Sequence, residues 1–247
     1  MKYILILLFF ACFSCSDKKT ETEEIAVQTE PETIPITEIT SLKKDSLMLD
    51  ATGSNISADK VVITELKRTY DKDSIGTAFF TIDFFKNAKK VYSHPVRIDF
   101  GREEGAEWSI NQEFMTDSKQ ANTDKRFVHC DNGIAACGYT HTQFLFFLGE
   151  NGIQLVSQWD SMWDSGYGVD SEFTPDFKTN PITSFVVKTV DVSPDETVKD
   201  TIDRLVVSYS DSTRYNFENG KWIKNQLSEK GKVYRTEKFT FDEYHKQ

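Results

Sequence analysis

No aromatic residue occurs between Phe13 and Tyr70, and this gap limits the fold more than any other feature of the chain. Ordering a backbone costs about 1–2 kcal/mol per residue, and a segment without rings and with few aliphatic side chains buries too little apolar surface to offset that cost. Residues 16–58 are rich in Thr, Ser, Glu, Lys and Pro, as in Thr20-Glu21-Thr22-Glu23-Glu24 and Pro31-Glu32-Thr33-Ile34-Pro35. They are expected to form a disordered polar tether, which as a flexible coil would reach roughly 35–40 Å. A short helix near Ile39 to Leu49 is the one element the pattern suggests inside it. Beyond the first 14 positions every Phe, Tyr and Trp follows Asp59, so 59–247 is expected to be a single domain. Its length of about 190 residues supplies one core and does not require two.

Within 59–247, β-branched and aromatic runs alternate with turn residues, which predicts an all-β domain of antiparallel strands and hairpins, arranged as a sandwich, barrel or meander. The expected strands are 60–68, 76–85, 91–100, 107–115, 126–130, 139–148, 153–159, 182–192, 203–210, 213–217, 221–224 and 233–241. Gly149-Glu150-Asn151-Gly152 and Glu218-Asn219-Gly220 read as hairpin turns, because Asn-Gly supplies the positive φ of primed turns. No long run of helical period competes with these strands.

At the other end, Lys2 precedes the apolar run Ile4 to Phe13, small Ser14 and Cys15, after which Ser16-Asp17-Lys18-Lys19 is polar. Positive start, short apolar stretch and small residue form the pattern of an export signal. A membrane span needs about 20 apolar residues, and this run stops well short. Cys12-Phe13-Ser14-Cys15 resembles the bacterial lipobox, matching at Ser14 and Cys15 and departing at Cys12 and Phe13. The segment is similar to the signals of Bacteroidota lipoproteins. The resemblance implies a signal peptide over 1–14, cleavage before Cys15, a diacylglyceryl group on the Cys15 sulfur and residence at the outer membrane, on its periplasmic side or at the cell surface. Lipid would then be the attachment, because the chain carries a formal charge of −10 with no polybasic patch. Such a chain is repelled by nucleic acid and by anionic headgroups.

Two cysteines remain in the domain. Cys130 and Cys137 flank Asp131-Asn132-Gly133, a turn sequence, and in an exported protein they are expected to pair as a disulfide. The rival reading takes His129, Cys130, Cys137 and His141 as metal ligands. Its spacing is poor, since neighbours on a strand point to opposite faces and no CxxC or HxxxH pair is present.

The stretch 158–170 interleaves carboxylates, rings and glycines: Trp159, Asp160, Trp163, Asp164, Tyr167 and Asp170. Carboxylates ligate Ca²⁺, and rings beside acceptors stack on sugars. Ser165-Gly166-Tyr167-Gly168-Val169-Asp170 resembles one copy of a glycine-rich calcium repeat that works in tandem, and Met162 occupies a position where an EF-hand requires oxygen. The plainer reading is a strand whose tryptophans fill the core.

Nucleophile elbows, zinc-protease helices, phosphate loops and dinucleotide fingerprints are absent from the sequence. Asp160, Asp164, Asp170 and Glu172 could supply an acid pair for glycan hydrolysis only if the fold brought two of them together. The resulting expectation is a lipid-anchored envelope protein without a cofactor, whose β domain binds a glycan or a protein. A glycan hydrolase and a structural or inhibitory lipoprotein are the alternatives.

Overall fold

The structure is a computed structural model that describes residues 42–50, 55–71, 76–100, 106–117, 122–134, 136, 138–179, 181–198 and 204–246. The signal segment, Cys15 and most of the expected tether lie outside the described residues. The strands are β1 (Leu42–Met48), β2 (Lys60–Tyr70), β3 (Gly76–Lys86), β4 (Lys89–Phe100), β5 (Glu107–Asn111), β6 (Thr116–Asp117), β7 (Asn122–Thr123) and β8 (Phe127–Gly133). They continue with β9 (Thr140–Gly149), β10 (Gly152–Asp164), β11 (Tyr167–Pro175), β12 (Ser184–Pro194), β13 (Arg204–Glu218), β14 (Lys221–Gln226) and β15 (Arg235–Thr240), followed by the helix α1 (Phe241–His245). All pairings between these strands are antiparallel.

One sheet is the meander β1-β2-β3-β4, and the larger follows the order β14-β13-β12-β11-β10-β9-β8-β5, with β15 added along β13. The meander covers one face of β5, β8 and β9. Ala78, Phe80, Ile82 and Phe84 from β3 meet Trp108, Val128, Cys130, Phe144, Phe146 and Leu148 in one apolar cluster. β9 is central and covered on both sides, so its inner run Phe144-Leu145-Phe146-Phe147-Leu148 is apolar without interruption. Its even positions enter the first cluster, while Leu145 and Phe147 enter a second one with Phe127, Phe185, Tyr215 and Trp222. Strands buried on one face only, such as β2, show the ordinary alternation instead.

The large sheet rolls up on this second cluster. Phe127 of β8 and Trp222 of β14 have five strands between them in the sheet order, yet their ring centroids lie 5.5 Å from each other. The edge strand β14 is stitched back onto the interior strand β10 by a side chain: the Gln154 amide donates to the Trp222 carbonyl at 3.0 Å and accepts from its N–H at 2.9 Å. β11 pairs β10 only over 167–169 but pairs β12 over 168–175, so the two strands diverge beyond Val169. A third cluster, with Val190, Val192, Leu205 and Val207, packs under Phe239, Phe241 and Tyr244.

Several expectations are corrected here. The segment 42–48, assigned to the tether and overlapping the suggested helix, is a strand paired with β2 from Leu42↔Glu65 to Met48↔Lys60. Leu47 and Leu49 supply the apolar contacts that an absence of rings concealed. The strands expected at 203–210 and 213–217 are one strand, kinked where Asp211 takes φ +49. The C-terminal run ends in a short helix because Thr240 and Glu243 form a capping box. Of the two expected turns, Asn219-Gly220 has positive φ at both positions, whereas at 149–152 only Gly152 does.

Candidate functional site

The stretch 158–170 is a hairpin, β10 turning into β11 through Ser165 and Gly166, at φ +52 and +90. Trp159, Ser161 and Trp163 alternate with exposed Asp160, Met162 and Asp164. Trp159 packs in the second cluster, 4.8 Å from the Phe173 ring, while Trp163 and Tyr167 pack in the third. Asp170 accepts from both indoles, from Trp159 at 3.1 Å and Trp163 at 3.4 Å, and from the Ser171 N–H at 2.6 Å. Asp164 accepts from Ser165, and Glu172 pairs with Lys188. Among the described residues no three His, Cys, Asp or Glu side chains converge as metal ligands. This is the geometry of packing, with Asp170 fixing two rings.

The expected bridge between Cys130 and Cys137 is also corrected. Cys130 is a free thiol, fully buried in the first cluster, where loss of hydration pushes its pKa well up. Cys137 lies outside the described residues. The expectation required a turn at Asp131-Asn132-Gly133, but β8 runs straight through those residues, pairing with β9 as far as Asn132↔Thr142 and with β5 as far as Glu107↔Gly133. Cys130 therefore sits between Ile110 and Phe144 in mid-sheet.

The histidines beside it are occupied separately. His129 is stacked between Phe114 and Trp159 and bonds Gln143 at 2.8 Å, and burial lowers its pKa. His141 lies on Gly133, where a Cβ would come within 2.3 Å of its ring. Burial works to lower its pKa, but bonds to Asp131 and to the Ile134 carbonyl, both at 2.9 Å, prevail and raise it.

A pocket of about 590 Å³ opens elsewhere, at the mouth of the sandwich between the meander and the β5–β8 edge. Phe80, Ile98, Phe100 and Trp108 form apolar walls, with Ala78 between them. The Phe100 ring rests on Gly76, whose missing side chain makes room for it: a Cβ there would lie 2.2 Å from the ring. Lys44, Arg68, Tyr70, Glu107 and Asn132 contribute polar groups. Trp108 is only 8% exposed, and its Nε1–H has no hydrogen-bond partner among the described residues. A buried, unpaired donor costs roughly 1–3 kcal/mol, and this nitrogen is covered by protein, so the residue meets the cavity through its apolar surface.

Behind the cationic side of this pocket lies Glu65, 1% exposed. It bonds Arg68 at 2.8 and 3.1 Å and Lys44 at 2.7 Å. Burial acts to raise its pKa, and the two cations overcome that and hold it below the usual value. Arg68 shows the reciprocal shift upward, and its guanidinium also lies 4.8 Å above the Phe100 ring. These residues were not singled out from sequence, because they come from β1, β2, β3, β4, β5 and β8 and form no local motif. One signal was available: with Val61 and Ile63 facing inward, alternation puts Glu65 inward too, and a buried carboxylate requires cations. No protein-family model matches this chain, and no curated protein or solved structure matches it.

Proposed function

We propose that this chain is a lipid-anchored envelope protein whose β domain binds a small ligand in the pocket at the sandwich mouth. The observation that carries the binding role is a cavity of about 590 Å³ with apolar walls from Phe80, Ile98, Phe100 and Trp108 and polar groups from Lys44, Arg68, Tyr70, Glu107 and Asn132. Small-molecule sites are concave, about 300–1,000 Å³, with apolar walls and a few placed polar groups. A pocket of this size suits a small molecule or the end of a glycan better than a folded protein. The anchor is supported by the sequence: Ser14-Cys15 follows a short apolar run, and a polar stretch separates Cys15 from β1. Two or more acyl chains on one cysteine hold a protein stably at a bilayer, since each buried CH₂ contributes about 0.8 kcal/mol.

Two measurements test this reading. Mass spectrometry of the mature protein is expected to find a diacylglyceryl group on an N-terminal Cys15, and a water-soluble product beginning elsewhere would remove the anchor. A fragment screen read by the ¹⁵N-indole resonances is expected to yield compounds that move the Trp108 signal, assigned from Trp108→Phe. A diverse library that leaves this signal in place would remove the binding role.

A further inference from the structure

The turn that closes the β8–β9 hairpin is tied down by a histidine with both ring nitrogens engaged. The ladder between these strands ends at Asn132↔Thr142, so the turn residues 134–139 lie beyond it. Among the described residues, two hydrogen bonds tie this turn to its surroundings. The Gly138 N–H donates to the Trp163 carbonyl on β10 at 2.8 Å, and His141 Nε2 bonds the Ile134 carbonyl at 2.9 Å. The other ring nitrogen, Nδ1, faces the two oxygens of Asp131 at 2.9 and 3.1 Å. A carboxylate and a carbonyl can only accept. A neutral imidazole carries one N–H, so only the imidazolium, with two, makes both bonds. The place for the ring is provided by Gly133, where a Cβ would lie 2.3 Å from Nδ1. The side chain keeps 27% of its exposure, so the ring can exchange protons with solvent.

We infer that His141 is a pH latch on the β8–β9 turn: as the imidazolium it ties the Ile134 carbonyl to Asp131, and loss of the Nε2 proton frees the turn. Which proton leaves follows from the two acceptors. Asp131 holds the Nδ1–H with a full negative charge, whereas the Ile134 carbonyl is neutral and already accepts from the Ala136 N–H at 2.7 Å. Nε2 therefore deprotonates first, and its lone pair then faces the lone pairs of the carbonyl oxygen. The groups around the ring favour the closed form. Asp131 from β8 is in contact, and Asp170 from β11 adds a second negative charge. His129 from β8 is held neutral by burial and does not oppose them. β10 places Ser161 opposite His141 and Asp164 near Gly138, and from β5 the exposed Glu107 pairs with Gly133. Burial works to lower the His141 pKa, and the bonds to Asp131 and Ile134 outweigh it. The latch is thus closed below the ordinary value of 6.5 and opens as pH rises through the raised one. It needs neither a ligand in the pocket nor a lipid on Cys15.

The test is a titration of the ¹⁵N-labelled full chain in nonionic detergent from about pH 5 to 9, following the His141 ring nitrogens and the Ala136 and Gly138 amides by NMR. His141 is expected to titrate with a midpoint above 6.5, Nε2 being the nitrogen that loses its proton. The Ala136 and Gly138 signals are expected to shift with the same midpoint. Protection of the Gly138 amide from hydrogen exchange, corrected for the intrinsic effect of pH, is expected to fall about tenfold across it. In His141→Gln, whose side chain does not titrate, both amides should lose this transition while His129 keeps its own, with a wild-type circular dichroism spectrum confirming the fold. A transition of the turn that survives in this variant would overturn the latch. So would three results in the wild-type protein, which decide the matter even if the variant misfolds: a midpoint at or below 6.5, a proton lost from Nδ1 instead, or turn amides that stay in place while His141 titrates.

Discussion

Replacing Glu65 by Gln tests the electrostatics that hold the pocket wall in place. The substitution preserves shape, removes the charge and turns an amide N–H₂ toward a cation. Removing one partner of a buried ion pair costs about 3–5 kcal/mol when the remaining charge is stranded. Here the Lys44 and Arg68 side chains keep 27% and 24% of their exposure, so water replaces part of what Glu65 supplied. The expected loss is therefore about 2–3 kcal/mol at pH 7, which for a domain of this size lowers Tm by roughly 5–10 °C. Urea unfolding of both proteins, followed by circular dichroism at several pH values, measures it. The Glu65 pKa in the folded protein is depressed below its ordinary value of 4.5. Its contribution is thus fully present above pH 4.5 and lost as pH falls through the folded-state value, and the difference between the proteins should shrink only in that acidic window. A loss under about 0.5 kcal/mol at pH 7, or a difference that stays constant into strong acid, would refute the reasoning.

Three further outcomes are expected. Gly168→Ala should cost roughly 3 kcal/mol or more, since at φ +155 its Cβ would lie 2.0 Å from the Met162 carbonyl oxygen. Gly220→Ala, at φ +81 but with nothing within 4 Å, should cost only about 1–2 kcal/mol, so equal losses in urea unfolding would show that strain alone decides both. His141→Gln should destabilise by about 1 kcal/mol at pH 5.5 and by less at pH 9. The reason is that the folded-state pKa of His141 is raised, so its stabilisation is complete below pH 6.5 and fades as pH rises through the folded value; a loss that grows with pH would contradict this. Cys130 should resist iodoacetamide in the native protein and react in denaturant without reductant, and continued protection there would restore the disulfide.

Much of the architecture was legible because strands announce themselves locally. The alternation of Thr77-Ala78-Phe79-Phe80-Thr81-Ile82 and the turn chemistry of Asn219-Gly220 depend only on neighbours in sequence. β1 escaped because its residues Leu42–Met48 carry no ring and few apolar groups, and form a strand only because β2 offers a partner edge. The hairpin at 158–170 drew attention through its composition, and the same composition serves packing, with Asp170 binding the Trp159 and Trp163 indoles.

By itself, the sequence determined an all-β class, antiparallel hairpins at its Asn-Gly turn, an acidic balance that disfavours nucleic acid, and an N-terminal pattern that resembles a lipoprotein signal. These follow from period, turn preference and charge, properties read within a dozen residues. Tertiary structure alone decided that the large sheet rolls until Phe127 meets Trp222, that Cys130 is a core thiol, and that Lys44, Arg68, Phe100 and Trp108 meet around one cavity. Those outcomes depend on strand order, register and curvature, which bring together side chains up to 95 positions apart in the chain, and no local pattern encodes such separations.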